Sequence, residues 1–204
     1  MSDKAKPKVF SRRGFIKGIG SGVVGGYMVA PAIPKISRKI IDEIEKEGTN
    51  KEPLSLKING KKVNILVEPR TTLAEVLRNR FKLTGTKVIC NQGECGGCTV
   101  LMNGNAVFSC HLLALDAAGT EITTIEGLMS GEKLHPIQEA FAEHDGLQCG
   151  FCTPGQIMAA EAILIKNPKP SKEEIIDGMS GNLCRCAAYP NILKSIIAAA
   201  ENNK

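Results

Sequence analysis

From Leu54 onward apolar and polar residues alternate. Leu54, Leu56 and Ile58 share one face, Asn59-Gly60 follows, and Val63, Ile65 and Val67 resume the period of two. Asn-Gly between two alternating runs predicts a β-hairpin, because a tight turn needs residues that accept positive φ. Thr72-x-x-Glu75 is a capping box and opens a helix with the apolar stripe Leu73, Val76 and Leu77. Residues 84–98 read as a glycine- and cysteine-rich loop. Val100 to Ser109 form a second hairpin around Asn103-Gly104, and a last strand falls at Glu121 to Ile125. These elements predict a small mixed sheet with one helix across a face. After Gly131 the strand signals stop. His135 to His144 reads as a helix started by Pro136. Thr153-Pro154-Gly155-Gln156 reads as an N-cap, a proline at N1 and a capping-box glutamine, leading into Ile157 to Lys166. Ser171-x-x-Glu174 opens a helix with Ile175 and Ile176. Pro190 opens the last, striped by Ile192, Leu193, Ile196, Ile197 and Ala200. Four short helices predict a compact all-α second domain, with the boundary near residues 127–134.

Composition narrows the function. The 204 residues suit one large domain or two small ones, and 43% hydrophobic residues can bury a core. Trp is absent and aromatics are 4%, which argues against a stacking platform for single-stranded nucleic acid. The net charge of +5 lies wholly in residues 1–32, where Lys4, Lys6, Lys8, Arg12, Arg13 and Lys17 face Asp3 alone. Residues 33–204 carry 20 basic and 20 acidic side chains, so no phosphate-binding surface, and no nucleic-acid partner, is expected.

The basic segment has the order of an export leader. Ser11-Arg12-Arg13-Gly14-Phe15-Ile16-Lys17 precedes a glycine-rich apolar stretch from Gly18 to Ile33, too short for the roughly 20 residues of a membrane helix. Ala30-Pro31-Ala32 offers a small-residue cleavage site. The adjacent arginines resemble the twin-arginine export signal of bacteria, with Ile16 in place of the usual Leu. The expectation is a signal peptide over residues 1–32 and a periplasmic protein. Its only membrane contact would be through an uncleaved leader. Residues 33–53 are then a linker or a short amphipathic helix, since Ile36, Ile40, Ile41 and Ile44 sit at helical spacing. Export of a chain folded around its cofactors would also spare eight thiols from oxidation.

All eight cysteines lie after residue 89. Cys90-x4-Cys95-x2-Cys98, then Cys110, is the spacing of a plant-type two-iron site. An anionic cluster of ferric ions, sulfides and thiolates needs donors aimed at it. Gly93, Gly96 and Gly97 let loop N–H groups turn inward without a Cβ clash. A zinc site or disulfides are the alternatives, although this loop is not a usual zinc-ribbon spacing. The second set is Cys149-x2-Cys152 with Cys184-x-Cys186. Both pairs lie just ahead of expected helix starts, whose dipoles favour thiolates. Four thiolates there imply a two-iron or a four-iron cluster. His111, His135 and His144 share no spacing and read as surface or helix-start residues. No P-loop, G-x-S-x-G or H-E-x-x-H motif is present.

Gly85-Thr86-Lys87-x2-Cys90-x2-Gly93-x-Cys95-Gly96-x-Cys98-Thr99-Val100 resembles the first-cluster motif of the iron–sulfur subunit of molybdenum hydroxylases. This is the family of xanthine dehydrogenase, aldehyde oxidoreductase and molybdenum-type carbon monoxide dehydrogenase. Gln148-Cys149-Gly150-Phe151-Cys152-Thr153-Pro154-Gly155 and Gly181-Asn182-x-Cys184-Arg185-Cys186 resemble its second-cluster motifs. The resemblance covers residues 54–200. Ile89 stands where Gly is usual, Gly97 where Ala is usual, and Ala187-Ala188 where Thr-Gly is usual; none of these removes a ligand. The resemblance implies an α+β chain: a β-grasp plant-type ferredoxin domain over 54–130, then an all-α four-helix-bundle domain over 131–204. It implies two [2Fe–2S] clusters, one on Cys90, Cys95, Cys98 and Cys110, the other on Cys149, Cys152, Cys184 and Cys186. It places Gln148 and Cys149 near the molybdopterin of a large catalytic partner.

The expected function is an electron-transfer subunit with no substrate site or catalytic residue of its own. Electrons would pass from molybdopterin in the partner through the helical-domain cluster, then through the ferredoxin-domain cluster. NAD is cytoplasmic, so the acceptor of an exported enzyme would be an FAD subunit, a c-type cytochrome haem or another soluble carrier. The alternative is a stand-alone periplasmic two-cluster carrier.

Overall fold

The computed structural model describes residues 50–202. The expected leader and the Ile36–Ile44 stripe lie outside the described residues. Among the described residues no helix is long and apolar enough to cross a membrane. The expected hairpins form. Strand β1 (Glu52–Ile58) pairs antiparallel with β2 (Lys61–Val67), and β3 (Thr99–Met102) with β4 (Asn105–Phe108). Both connections are Asn-Gly pairs with positive φ at each residue: 47° and 79° at Asn59-Gly60, 49° and 79° at Asn103-Gly104. That is the primed turn whose twist matches the strands it joins. Strand β5 (Glu121–Thr123) lies parallel to β1 and antiparallel to β3. The five-stranded order is β2-β1-β5-β3-β4. The last strand stops two residues short of expectation, because Ile125–Gly127 turns into a 3-10 helix.

Helix α1 (Leu73–Glu75) starts at the expected capping box. Thr72 Oγ1 accepts from the Glu75 N–H at 3.3 Å, and Glu75 Oε2 accepts from the Thr72 N–H at 2.8 Å. It runs on as a π-helical turn over Val76–Arg80, which the hydrophobic period did not reveal. There the Phe81 N–H reaches back to the Val76 carbonyl at 3.3 Å. Leu73, Val76 and Leu77 are fully buried against Leu54, Leu56, Val100 and Ile122 of the sheet.

Four helices follow: α2 (Pro136–Glu143), α3 (Thr153–Lys166), α4 (Lys172–Gly178) and α5 (Tyr189–Asn202). Ile137, Phe141, Ile157, Leu164, Ile175, Ile192 and Ile196 form their core. Ser171 caps α4 as expected, with its Oγ accepting from the Glu174 N–H at 3.2 Å. The start of α3 is a correction. Cys152, not Thr153, is the N-cap, and its carbonyl accepts from the Gln156 N–H at 3.0 Å. Thr153 caps nothing, and the Gln156 carboxamide donates to the Asn182 carbonyl at 3.0 Å. A long-range acceptor has outcompeted the local one.

Sheet and helices share a core. Met158 and Ala162 of α3 pack on Leu101 of β3, with Ile125 and Leu128 against them. A polar clamp supports the junction. Asn59 Nδ2 donates to Thr124 Oγ1 at 3.0 Å, and Asn59 Oδ1 accepts from the Thr124 N–H at 2.9 Å. The described residues, 50–202, accordingly fall within one compact unit. Met158→Ala should lower stability by about 2–4 kcal/mol. Combined with Leu101→Ala the loss should fall short of the sum, since the two side chains share one contact. Melting curves of the iron-loaded variants measure both.

Candidate metal centres

The first four cysteines meet where the 84–98 loop enters β3 and where β4 leaves the sheet. Cys98 and Cys110 are buried, and Cys90 and Cys95 are partly exposed. Cys98 immediately precedes β3, and Cys110 lies in a 3-10 turn (Ser109–His111) directly after β4. The β3–β4 ladder therefore brings them together. The Cys110 N–H donates to Cys98 Sγ at 3.4 Å, and the Ser109 hydroxyl holds the Cys98 carbonyl at 2.7 Å. The loop turns its amides inward through positive φ at Asn91 (56°), Gly93 (75°) and Gly96 (68°). The Gln92 N–H donates to Cys90 Sγ at 3.4 Å. Cys90 neighbours Cys95, and Cys98 neighbours Cys110.

Gly97 has a different reason from the one expected of it. It has no positive φ; a Cβ there would collide with Ile89 Cδ1. The two departures from the usual pattern therefore explain each other, with Ile89 filling the space that the missing methyl of residue 97 leaves.

The second set sits at two helix starts. Cys152 is the N-cap of α3, and Cys184 and Cys186 lie in the turn ahead of α5. Cys149 neighbours Cys186, and Cys152 neighbours Cys184. The Tyr189 hydroxyl accepts from the Cys184 N–H at 2.8 Å and fixes that turn. Cys184 is buried, Cys149 and Gln148 are exposed, and Cys152 and Cys186 are intermediate.

The thiols of each set are electrostatically unequal. Backbone N–H groups of Gln92 and then Glu94 hold Cys90 down to about 6. Burial pushes Cys98 up to about 12; the Cys110 N–H opposes this, and the Cys110 thiol adds to it. Burial likewise pushes Cys152 up to about 12, with Cys184 next in effect. The Phe151 N–H, followed by the Cys186 thiol, draws Cys149 down. Each set thus pairs a more exposed thiol whose ionisation the backbone amides favour with a more enclosed one whose ionisation burial opposes.

These residues fit iron–sulfur clusters. All eight cysteines are free. Among the described residues no three His, Cys, Asp or Glu side chains converge on the position of a single ion. The sulfurs pair instead, and two pairs per set are what a two-iron cluster takes. Thr86 Oγ1 and Thr153 Oγ1 are buried without a partner, the latter beside Cys152. The histidines stay outside. His111 packs its ring over Gly93, whose Cβ would come within 3.1 Å of it. His135 heads α2, its N–H donating to Gln138 Oε1 at 2.9 Å, with its Nδ1 3.5 Å from Glu161 Oε2. Burial raises the Glu161 carboxyl while His135 opposes it. His144 ends α2.

Sequence reasoning missed the polar residues between the two sets: Thr99, Gln156 and the side-chain role of Asn182. Asn182 stood inside a recognised motif, but its partner Gly96 is 86 residues away. No local pattern shows that.

A small sheet and four helices, each offering four paired thiols from glycine-turned loops or helix starts, define a two-centre iron–sulfur protein. Two family models divide the chain in the same way: the 2Fe-2S iron-sulfur cluster binding domain over residues 56–123 and the [2Fe-2S] binding domain over 124–197. The second family model is that of a two-iron domain, which supports that nuclearity for the second set. The chain is 48% identical over 167 residues to the aldehyde oxidoreductase iron-sulfur-binding subunit PaoA of Escherichia coli K12, covering 74% of this chain and 73% of that one. It is 49% identical over 146 residues to the nicotine 6-hydroxylase small subunit of Paenarthrobacter nicotinovorans, covering 72% and 88%. A chain of quinoline 2-oxidoreductase from Pseudomonas putida 86 superposes with a TM-score of 0.72 at 48% identity, over 75% of this chain and 96% of that one. This chain belongs to the iron–sulfur subunits of the molybdenum hydroxylases.

In the reduced, iron-free chain Cys90 should react with iodoacetamide at a rate that is flat above about pH 7 and falls through pH 6. Cys98 and Cys152 should stay unreactive until strongly alkaline pH. Peptide mass mapping resolves the three. Gly155→Ala should cost about 3 kcal/mol, because its Cβ would meet the Gly96 carbonyl and Gly97 Cα, which cannot give. Gly97→Ala should cost about 1 kcal/mol or less, since Ile89 can rotate outward, and Ile89→Gly should relieve it. Melting temperature and iron content separate these cases.

Proposed function

We propose that this chain is the electron-relay subunit of an exported, periplasmic molybdenum hydroxylase. The observation that carries the reading is the surface of the second cysteine set. Cys149 is exposed, and the loops bearing the set present Leu147, Phe151, Leu183 and Tyr189 to solvent at 40–53% exposure. Large apolar side chains around a metal ligand are the surface of a subunit that docks on a partner. That partner is the large molybdopterin-binding subunit, where substrate is oxidised, with Gln148 and Cys149 nearest the pterin. Bound at the two cysteine sets, [2Fe–2S] clusters supply one-electron transfer and no bond chemistry. The chain's residues hold the clusters, aim N–H dipoles at them and exclude water on the buried side.

Electrons enter on the Cys149 side and leave on the Cys90 side, where Ile89, Gln92, Glu94 and His111 are exposed to the acceptor. The acceptor is an FAD subunit, a c-type cytochrome or another soluble carrier. The twin-arginine leader takes the folded chain across the membrane, and a leaderless large subunit travels with it.

The test is purification of the tagged chain from its host's periplasm under mild conditions, with metal analysis and identification of co-purifying chains. The expected result is about four irons per chain, molybdenum and a large partner. Iron without molybdenum or partner would establish the stand-alone carrier instead. Replacing Arg12 and Arg13 by Lys should leave the complex in the cytoplasm; unchanged export would refute the leader.

A further inference from the structure

The loops bearing the two cysteine sets meet backbone to backbone. The Leu183 N–H donates to the Cys95 carbonyl at 3.0 Å, one residue from Cys184. Gly155, three residues after Cys152, presses on Gly96 and Gly97 with no room for a Cβ. Over this contact lies Asn182, 5% exposed. Its Nδ2 donates to the Gly96 carbonyl at 2.9 Å and to Thr99 Oγ1 at 3.2 Å. The Thr99 hydroxyl donates to the same carbonyl at 2.6 Å, and Gln156, 1% exposed, holds the Asn182 carbonyl at 3.0 Å. Gly96 can admit this carboxamide only because it has no Cβ, which would come within 2.6 Å of Asn182 Cγ and Nδ2. A buried amide is costly unless fully bonded, and an apolar side chain would fill the space without that demand. What the amide adds is a fixed position for the two loops.

We propose that Asn182 is the positioning residue for electron transfer between the two centres. It clamps Gly96 and so keeps Cys95 and Cys184, one ligand from each set, connected through a single hydrogen bond. The proposal rests on the relay reading above. The step it serves moves one electron: the donor centre is oxidised by one, the acceptor reduced by one, no bond breaks and no proton moves. Tunnelling falls steeply with separation and with the loss of bonded contacts, so slack between these loops slows the transfer while leaving each centre intact.

Asn182→Asp keeps the shape but points an acceptor at the Gly96 oxygen. Thr99→Val removes one anchor, and Thr99→Ser keeps it. In the iron-loaded complex with its partner, three quantities are measured: iron per chain, the EPR splitting between the two reduced centres, and the inter-centre rate after flash reduction. Asn182→Asp should retain its iron, lose splitting and slow the transfer by about tenfold or more, as small misplacements of reacting groups do. Thr99→Val should fall between it and the wild type, and Thr99→Ser should match the wild type. Wild-type rate and splitting in iron-loaded Asn182→Asp would overturn the proposal. If that variant fails to load iron, Thr99→Val decides: slower transfer at full iron supports it, unchanged transfer refutes it. A wild-type complex with only one iron–sulfur EPR signal would overturn the relay reading itself, and the proposal with it.

Discussion

The governing constraint is charge. Eight thiols in two small modules must give up their protons and still sit within a folded core, and a thiolate buried without donors is prohibitively unstable. The chain meets this with backbone N–H groups, which are strong and fixed in direction. A strand spends its amides on the neighbouring strand, so the ligands sit in loops, 3-10 turns and helix starts. Cys90 rests under the amides that follow it, Cys98 takes the Cys110 N–H, and Cys152 stands at the N-cap position of α3 without a capping hydrogen bond from its thiol. The glycines of the 84–98 loop and the ordinary hairpins around them follow from that need: the regular elements hold the irregular ones in place.

The second requirement is proximity. Two centres that exchange electrons must lie close, yet each needs its own scaffold. The solution is a shared wall without side chains. Gly155 against Gly96 and Gly97, and Leu183 against Cys95, let two ligand loops approach to backbone contact. Behind the wall Met158 and Ala162 are buried on Leu101, which makes sheet and helices one unit. Separate domains joined by a mobile linker could not keep such a contact.

Much of the fold was legible because its signals are local. Asn59-Gly60 and Asn103-Gly104 mark turns within two residues, and the Thr72 and Ser171 capping boxes close within one helical turn. The grouping of the cysteines into two sets was legible because much of each set's spacing lies within one loop. The misreadings have one common cause. Thr153 looked like a cap and Gln156 its partner, but the Gln156 carboxamide is drawn to Asn182, and Cys152 takes the capping position. Gly97 looked like a residue that lets the loop turn its N–H groups inward, but it is an accommodation to Ile89. In each case a neighbour across space outweighed the neighbour in sequence.

By itself the sequence determined the two groups of four cysteines, the family and the order of sheet before helices, because these depend on residue type and short spacing. Only the tertiary structure decided how the two sets face each other, which thiols are buried and which meet solvent, and that a carboxamide at Asn182 locks the loops. Those outcomes depend on contacts between segments about 60 to 90 residues apart, and such contacts form only when hydrophobic burial has brought the segments together.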